Sequence, residues 1–404
     1  MKIREYYQSI PRELKLFAFS ILTGSLATSI YDATFNNFLN GRFALSGLQR
    51  SLMEIPRELP GLLTVFVTAL FWFLCSRRLG SLAMVLGAIG TLLIGFISPT
   101  YAVMMIWLFV YSLGNHLFLP IQSTIGMELA SDGKAGQRLG QINSLRNFAS
   151  IFGSFIVFLG FKYLHFTFST TFVLVAVAFI ISGIFLFAMK TQPTNQPKTF
   201  FKLHKEYRLF YALAILYGSR KQIFITFAPW VLVTVFKQPT QNMATLLLVG
   251  GGIGIVFQPI LGWMVDHFGE KVVLCSEAVL LVLVCFGYGF SRFLFPESSA
   301  LLITFVCFLL DQILMSVGMA RSTYMKKIAK RPEDIQPALT ASISIDHIFS
   351  ISVAILGGII WNTFGYQYVF LLGVGIATIN FFVAMQIKLP ENKGEEFVGE
   401  MIAK

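Results

Sequence analysis

Along most of the chain, apolar residues run for twenty positions or so before a short polar break interrupts them. A helix needs about 20 mostly apolar residues to cross the hydrocarbon core of a bilayer, so each run predicts a spanning helix. Six runs fall near residues 16–39, 48–75, 79–98, 101–127, 138–162 and 168–189. The segment TQPTNQPKTFFKLHKEYR then breaks the pattern, and six more follow near 207–236, 240–265, 270–292, 299–325, 335–361 and 365–388. The pattern predicts an all-α membrane protein with twelve transmembrane helices in two pseudo-symmetric six-helix bundles. Residues 1–190 are expected to form the N-terminal bundle, 191–206 a cytoplasmic linker, and 207–404 the C-terminal bundle with a short cytoplasmic tail.

The halves also echo each other in sequence. Leu16–Ser25 reads LFAFSILTGS and Leu209–Ser219 reads LFYALAILYGS, which aligns Gly24-Ser25 with Gly218-Ser219. The breaks after spans two and eight, CSRRLGSL and VDHFGEKVVL, both hold a charged turn with glycine. Parallel repeats of this kind are one plan for secondary transporters, with the substrate held between the halves.

Composition supports a lipid environment: 55% of residues are hydrophobic and 13% charged, against about 25% charged in soluble domains. The net charge of +11 follows the membrane. With the N-terminus inside, twenty-one of the 31 Lys and Arg fall in inner segments, six lie within spans, and Arg42, Lys162, Lys237 and Arg292 fall in outer loops. Basic residues are retained on the cytoplasmic side, so both termini are expected there, in a multi-pass protein of the cell membrane. The basic charge is then a topology signal, and no nucleic-acid partner is expected. The stretch from Met1 to Lys15 is charged and the apolar run after it is too long for a signal-peptide core, so that run should remain as the first span. Cys75, Cys275, Cys285 and Cys307 show no metal-binding spacing and read as small packed hydrophobes.

One loop carries a family likeness. Gly262-Trp-Met-Val-Asp266-His-Phe-Gly269-Glu-Lys271-Val-Val-Leu274 fits the G-x-x-x-D-x-x-G-x-[KR]-x-x-L signature of the major facilitator superfamily, and with six-plus-six spans the whole chain resembles that family. The resemblance implies alternating access of two rocking bundles, with Gly262, Asp266, Gly269 and Lys271 forming a gating loop. Glycine permits the tight turn, and Asp266 would sit near the positive N-terminal end of the next helix. The equivalent first-half loop, Arg77, Arg78 and Gly80, has arginine where the family has the acid, so these arginines read either as a degenerate latch or as topology anchors. The glycine-proline signature of the family's antiporters is missing from Asn147–Phe155.

Ionisable residues inside spans are costly and are functional candidates by default. Arg50, Glu54, Arg57 and Glu58 recur at helical spacing, which puts them on one face of span two, unless that span starts later and they lie in a loop. Pro56 and Pro60 complicate this helix. Tyr31, Asp32, Asn36 and Asn37 of span one lie at similar depth. In span seven, Arg220, Lys221 and Gln222 sit mid-membrane and need anions. These come either from protein carboxylates such as Asp311 and Asp346, making a structural network, or from an anionic substrate clamped by Arg220.

Arg146, Asn147, His116 beside Asn115, and Asn36 complete the expected substrate-binding set. Asp32, Glu54, Arg57, Glu58, Asp311, Asp346 and His347 form the expected coupling set, because burial and a neighbouring cation pull a carboxyl's proton affinity in opposite directions and histidine titrates near neutrality. Arg321 suggests an inner gate, and Glu277 lies close to a helix end. Tyr217, Phe227, Trp230 and Tyr324 are candidate cavity aromatics, while Gly250–Gly254 and Gly357-Gly358 read as close helix contacts.

With neither a nucleophile-base set nor HExxH in the sequence, an enzyme is not expected, and no cofactor or metal is called for. The reading is a monomeric secondary active transporter of a small or amphiphilic organic solute with an anionic group, working as symporter or antiporter, with the proton as the default coupling ion and sodium as the other candidate. A proton-driven exporter of drugs or lipophilic metabolites, and a transporter-like receptor, are the alternatives.

Overall fold

A computed structural model describes residues 10–71, 73–130, 135–191, 203–331 and 334–388. The proposed linker falls mostly on residues outside this set, as does the tail after Lys388. The described chain is helical from end to end, and twelve spans follow in order. Span one is Arg12–Phe43, span two joins Gly47–Leu52 to Glu54–Leu70, and spans three to six are Ser76–Phe96, Tyr101–Glu128, Ala135–Tyr163 and Phe168–Phe187. Span seven is Arg208–Thr234. Spans eight and nine are the two limbs of Thr240–Leu294, span ten joins Glu297–Met315 to Gly318–Ile328, and spans eleven and twelve are Ile335–Phe364 and Tyr366–Met385.

Ten helical segments are long and apolar enough to cross a membrane. Spans two and seven are not among them: the longer piece of span two has only 17 residues, and span seven carries the adjacent cations Arg220 and Lys221 midway along it. Span two is shorter than the expected 48–75 and is interrupted at Met53. Its charges nevertheless lie in helix rather than in a loop.

Local chemistry sets several ends. Ser46 opens span two with a reciprocal capping box, its Oγ accepting from Gln49 N at 3.2 Å while Gln49 Oε1 accepts from Ser46 N at 3.0 Å. Spans eight and nine meet at Gly269, whose φ of 79° and ψ of 162° lie in a region open essentially to glycine alone.

Two apolar cores follow the two halves of the chain. One gathers residues such as Phe17, Leu79, Leu108, Phe172 and Phe179, and the other Tyr207, Phe227, Leu274, Tyr288 and Phe370. Outside them, Phe19, Ile184, Leu283 and Phe382 are exposed, as lipid-facing positions must be. The halves meet tightly on the face opposite the termini. There Asn37 Nδ2 donates to the Gln238 carbonyl at 3.0 Å and Leu48 N donates to Asn362 Oδ1 at 3.2 Å. Gly47 and Gly358 allow the closest approach: a Cβ on the first would lie 2.3 Å from Trp361, and on the second 1.9 Å from Ser51 Oγ. Toward the terminal face the halves part, and among the described residues no atom beyond the local helix backbone comes within 4 Å of where a side chain would start at Gly252, Gly254 or Gly262. Gly251, Gly357 and Gly358 thus match the expected close-contact role and Gly250 packs on Gln312 at 3.5 Å, whereas Gly252 and Gly254 border open space.

Candidate functional site: a central cavity with two unpaired charges

Between the halves lies a cavity of about 470 Å³. Span one contributes Tyr31, Asp32, Phe35 and Asn36, span four Tyr111, Asn115, His116 and Gln122, and span five Arg146. The second half contributes Phe224, Phe308, Asp311 and Gln312. Toward the terminal face a second chamber of about 380 Å³ is bounded by Ser25, Thr28, Asp32, Asn143, Arg146, Asn147 and Gln258. Asp32 and Arg146 border both chambers. The wall is part aromatic, with Tyr31 and Tyr111 stacked at 4.0 Å between centroids. Of these residues, Tyr31, Asp32, Asn36, Asn115, His116, Arg146, Asn147 and Asp311 were legible from sequence. Gln122, Asn143, Gln258 and Gln312 were not, although an amide inside an apolar span was the available signal.

The charges of span two form a connected strut. Arg50 Nη1 lies 2.6 Å from Glu54 Oε1, Arg57 Nε 2.5 Å from Glu54 Oε2, and Arg57 Nη2 3.2 Å from Glu58 Oε1. Asn36 accepts from Arg50 Nε at 3.2 Å, and Glu58 Oε2 lies 2.7 Å from His347 Nδ1 across the interface between halves. Glu54 is completely buried, so its charge is shared between two arginines rather than offered to the cavity.

Span seven differs most from the sequence expectation. Arg220 Nη1 sits 2.6 Å from Asp311 and Nη2 2.9 Å from Glu277, while Lys221 Nζ lies 2.5 Å from Asp346. Arg321 completes the set, 3.7 Å from Glu277 and stacked 3.5 Å over the Tyr217 ring. Gln222 is fully buried and donates to Thr226 Oγ1 of its own helix. Arg220, Lys221 and Gln222 therefore do not line the cavity, and the two cations are neutralised by protein carboxylates. Of the two sequence readings for span seven, the geometry corresponds to the structural network. Glu277, set aside as too near a helix end, is its centre, and Arg321, expected at an inner gate, is a member of it. Phe227, Trp230 and Tyr324 are buried in the apolar cores, and neither they nor Tyr217 borders the cavity.

Six charged side chains line the cavity: Asp32, Arg50, Arg57, Glu58, Arg146 and Asp311. Of these, all but Asp32 and Arg146 have an ion-pair partner among the described residues. Asp32 is exposed and Arg146 half-buried, both facing the cavity.

The loops on the terminal face form matching pairs. Arg77, 2% exposed, lies 2.8 Å from Glu128 at the end of span four. Arg78 donates to the Phe187 carbonyl and lies 3.8 Å over the Phe187 ring. In the second half Glu270, fully buried, lies 2.8 Å from Lys327 at the end of span ten. The two halves thus join the start of their third helix to the end of their fourth by an ion pair of opposite polarity. Arg77 is thus a buried ion-pair partner, and Gly80 packs against Ile121. Asp266 and Lys271 are exposed, without an ion pair among the described residues.

The sequence model of the Major Facilitator Superfamily matches residues 17–345, which is most of the chain. The chain belongs to the major facilitator superfamily. No curated protein sequence matches it. Its fold is shared with the nucleoside transporter NupG, at TM-score 0.73 and 15% identity over 94% of this chain and 100% of that one. It is shared too with the inward-open xylose transporter XylE from E. coli, at 0.67 and 16% over 96% and 98%. A bacterial homologue of the human lysosomal transporter Spinster, inward-facing and unoccupied, aligns at 0.67 and 12% over 93% and 97%. At these identities the likeness concerns the fold. This major facilitator protein is a membrane transporter and not an enzyme, and its twelve spans make the paired bundles the family uses for alternating access.

Proposed function

We propose that the chain is a proton-coupled secondary transporter of a small organic solute with an anionic group, in which Arg146 receives the anion and Asp32 the proton. The observation that carries this reading is that these two alone, among the charged residues lining the cavity, lack an ion-pair partner among the described residues. Arginine's planar fork matches a carboxylate or phosphate in two-point contact. The stacked Tyr31 and Tyr111, with Phe179, Phe224 and Phe308, offer surface for an apolar or ring portion of the solute.

Charge balance gives the coupling its logic. An empty cavity with ionised Asp32 and Arg146 is neutral. Loading both the anion and a proton leaves it neutral, whereas either alone leaves one uncompensated charge. An unpaired charge enclosed within a protein costs several kcal/mol, so the half-loaded carrier reorients far more slowly than the empty or fully loaded one. Both termini on the cytoplasmic side, as the loop charges suggest, would make the present conformation open to the cytoplasm. The two bundles divide as residues 1–190 and 207–404 about a cytoplasmic linker.

A thermal-shift screen of small carboxylates and phosphates against the purified protein tests the anion assignment. A stabilising solute should lose its effect in Arg146→Gln and keep it in Gln222→Ala. Equal stabilisation of Arg146→Gln and the unsubstituted protein would remove Arg146 from the site.

A further inference from the structure

One cluster of ligating side chains stands apart from Asp32 and Arg146. Glu58 on span two, His116 on span four and His347 on span eleven each bring one ligand atom within 4.8 Å of the others. His116 is fixed from behind: its Nδ1 lies 3.0 Å from the Ser112 carbonyl oxygen. A carbonyl only accepts, so Nδ1 carries the hydrogen and Nε2 keeps its lone pair. A hydrogen bond on the far nitrogen is what orients a metal-ligating imidazole and raises its basicity. Room for the rings comes from Gly61, where a Cβ would lie 2.7 Å from both Cε1 and Nε2 of His347 and 2.9 Å from Cδ2 of His116. The two imidazoles converge over that glycine with centroids 5.3 Å apart.

We propose that Glu58, His116 and His347 form a binding site for a divalent transition-metal ion, zinc above all, at the closed end of the cavity. Two imidazoles and a carboxylate are a ligand set that Zn²⁺ takes with a fourth position left to water. Imidazole selects against Mg²⁺ and Ca²⁺, which take oxygen ligands. With metal–ligand bonds of about 2.0–2.1 Å, tetrahedral ligand atoms stand roughly 3.4 Å apart, so side-chain rotation must draw this set together by little more than an ångström. Arg57 holds Glu58 through Oε1, leaving Oε2 toward His347. The ion takes the place of the hydrogen between Glu58 Oε2 and His347 Nδ1, and the ring then carries that hydrogen on Nε2. His116 lines the cavity, which supplies the entry path. Two ligands belong to the first half and one to the second, so a bound ion ties the halves together beneath the closed face. This site does not depend on the anion and proton assignments.

Isothermal titration of the tag-free, full-length protein in nanodiscs with Zn²⁺ tests the site. One ion should bind per chain with micromolar affinity, and Mg²⁺ should not compete. His116→Ala and His347→Ala should each weaken binding by at least about tenfold. His204→Ala removes an imidazole 3.9 Å from Asp334 on the terminal face and should leave binding unchanged. Thermal unfolding of each variant without metal separates loss of a ligand from loss of fold. Where an alanine variant does not fold, the glutamine variant at the same position is titrated instead. Absorption at the zinc edge should show light-atom ligands at about 2.0–2.1 Å with scattering from two imidazoles. Absence of Zn²⁺ binding to the unsubstituted protein, or binding that survives in the folded His116→Ala/His347→Ala double variant, would overturn the proposal.

Discussion

Replacing Glu277 by glutamine is the sharpest perturbation of the second half. Glu277 is 2% exposed, 2.9 Å from Arg220 and 3.7 Å from Arg321. With Asp311 it balances those two cations one for one. Glu277→Gln keeps the shape and an acceptor oxygen but leaves a net positive charge enclosed among apolar helices. Breaking a buried pair by removing one partner costs about 3–5 kcal/mol. At roughly 2–4 °C per kcal/mol for a unit of this size, unfolding in detergent should fall by roughly 6–20 °C. The compensating substitution makes the test specific. Adding Arg321→Met restores neutrality around Arg220 and Asp311, so Glu277→Gln/Arg321→Met should recover at least half of the lost stability. Groups in one network give such non-additive effects, whereas independent sites simply sum. Thermal unfolding of the four proteins, followed by tryptophan fluorescence or scanning calorimetry, supplies the numbers. A loss below about 1 kcal/mol for Glu277→Gln, or strictly additive losses in the double variant, would refute the charge balance.

Other outcomes follow from the same geometry. Gly269→Ala forces a side chain onto the φ of 79° that joins spans eight and nine, and should cost about 1–3 kcal/mol in thermal stability. Gly358→Val places a side chain against Ser51; it should wedge the far face open and speed labelling of a cysteine placed at Asn36 by a reagent added from that side. Reversing the terminal-face pair by Glu270→Lys with Lys327→Glu should retain more stability than Glu270→Lys alone, because the first half already uses the opposite polarity in Arg77 and Glu128.

How much of this was legible in the sequence depends on what each residue had to reveal. Span number and approximate position follow from length and hydropathy, since every lipid-crossing helix must satisfy its own backbone and present an apolar exterior. Depth was also legible: within span seven Arg220 is buried and Lys221 half-buried. Partnership was not, because which carboxylate meets which cation depends on how helices distant in sequence are packed. Arg220 finds Asp311 on span ten and Glu277 on span nine, pairings that no spacing encodes. Glu277 was set aside for its nearness to a helix end, yet seven residues into span nine it has climbed about 10 Å, enough to reach Arg220. The strut of span two was readable because its members share one span, whose near-helical path across Met53 lets spacing fix neighbours. The aromatic expectations misplaced Phe227 and Trp230 because composition does not separate a cavity wall from a core.

Solute accumulation in proteoliposomes under an imposed pH gradient tests the central claim most directly, using an anionic solute that stabilises the purified protein. The unsubstituted protein should concentrate it when the compartment supplying solute is the more acidic, and dissipating the gradient should stop accumulation. Asp32→Asn should still exchange labelled for unlabelled solute yet fail to concentrate it. Accumulation by Asp32→Asn that still follows the pH gradient, or no flux of any anionic solute by the unsubstituted protein, would contradict the account.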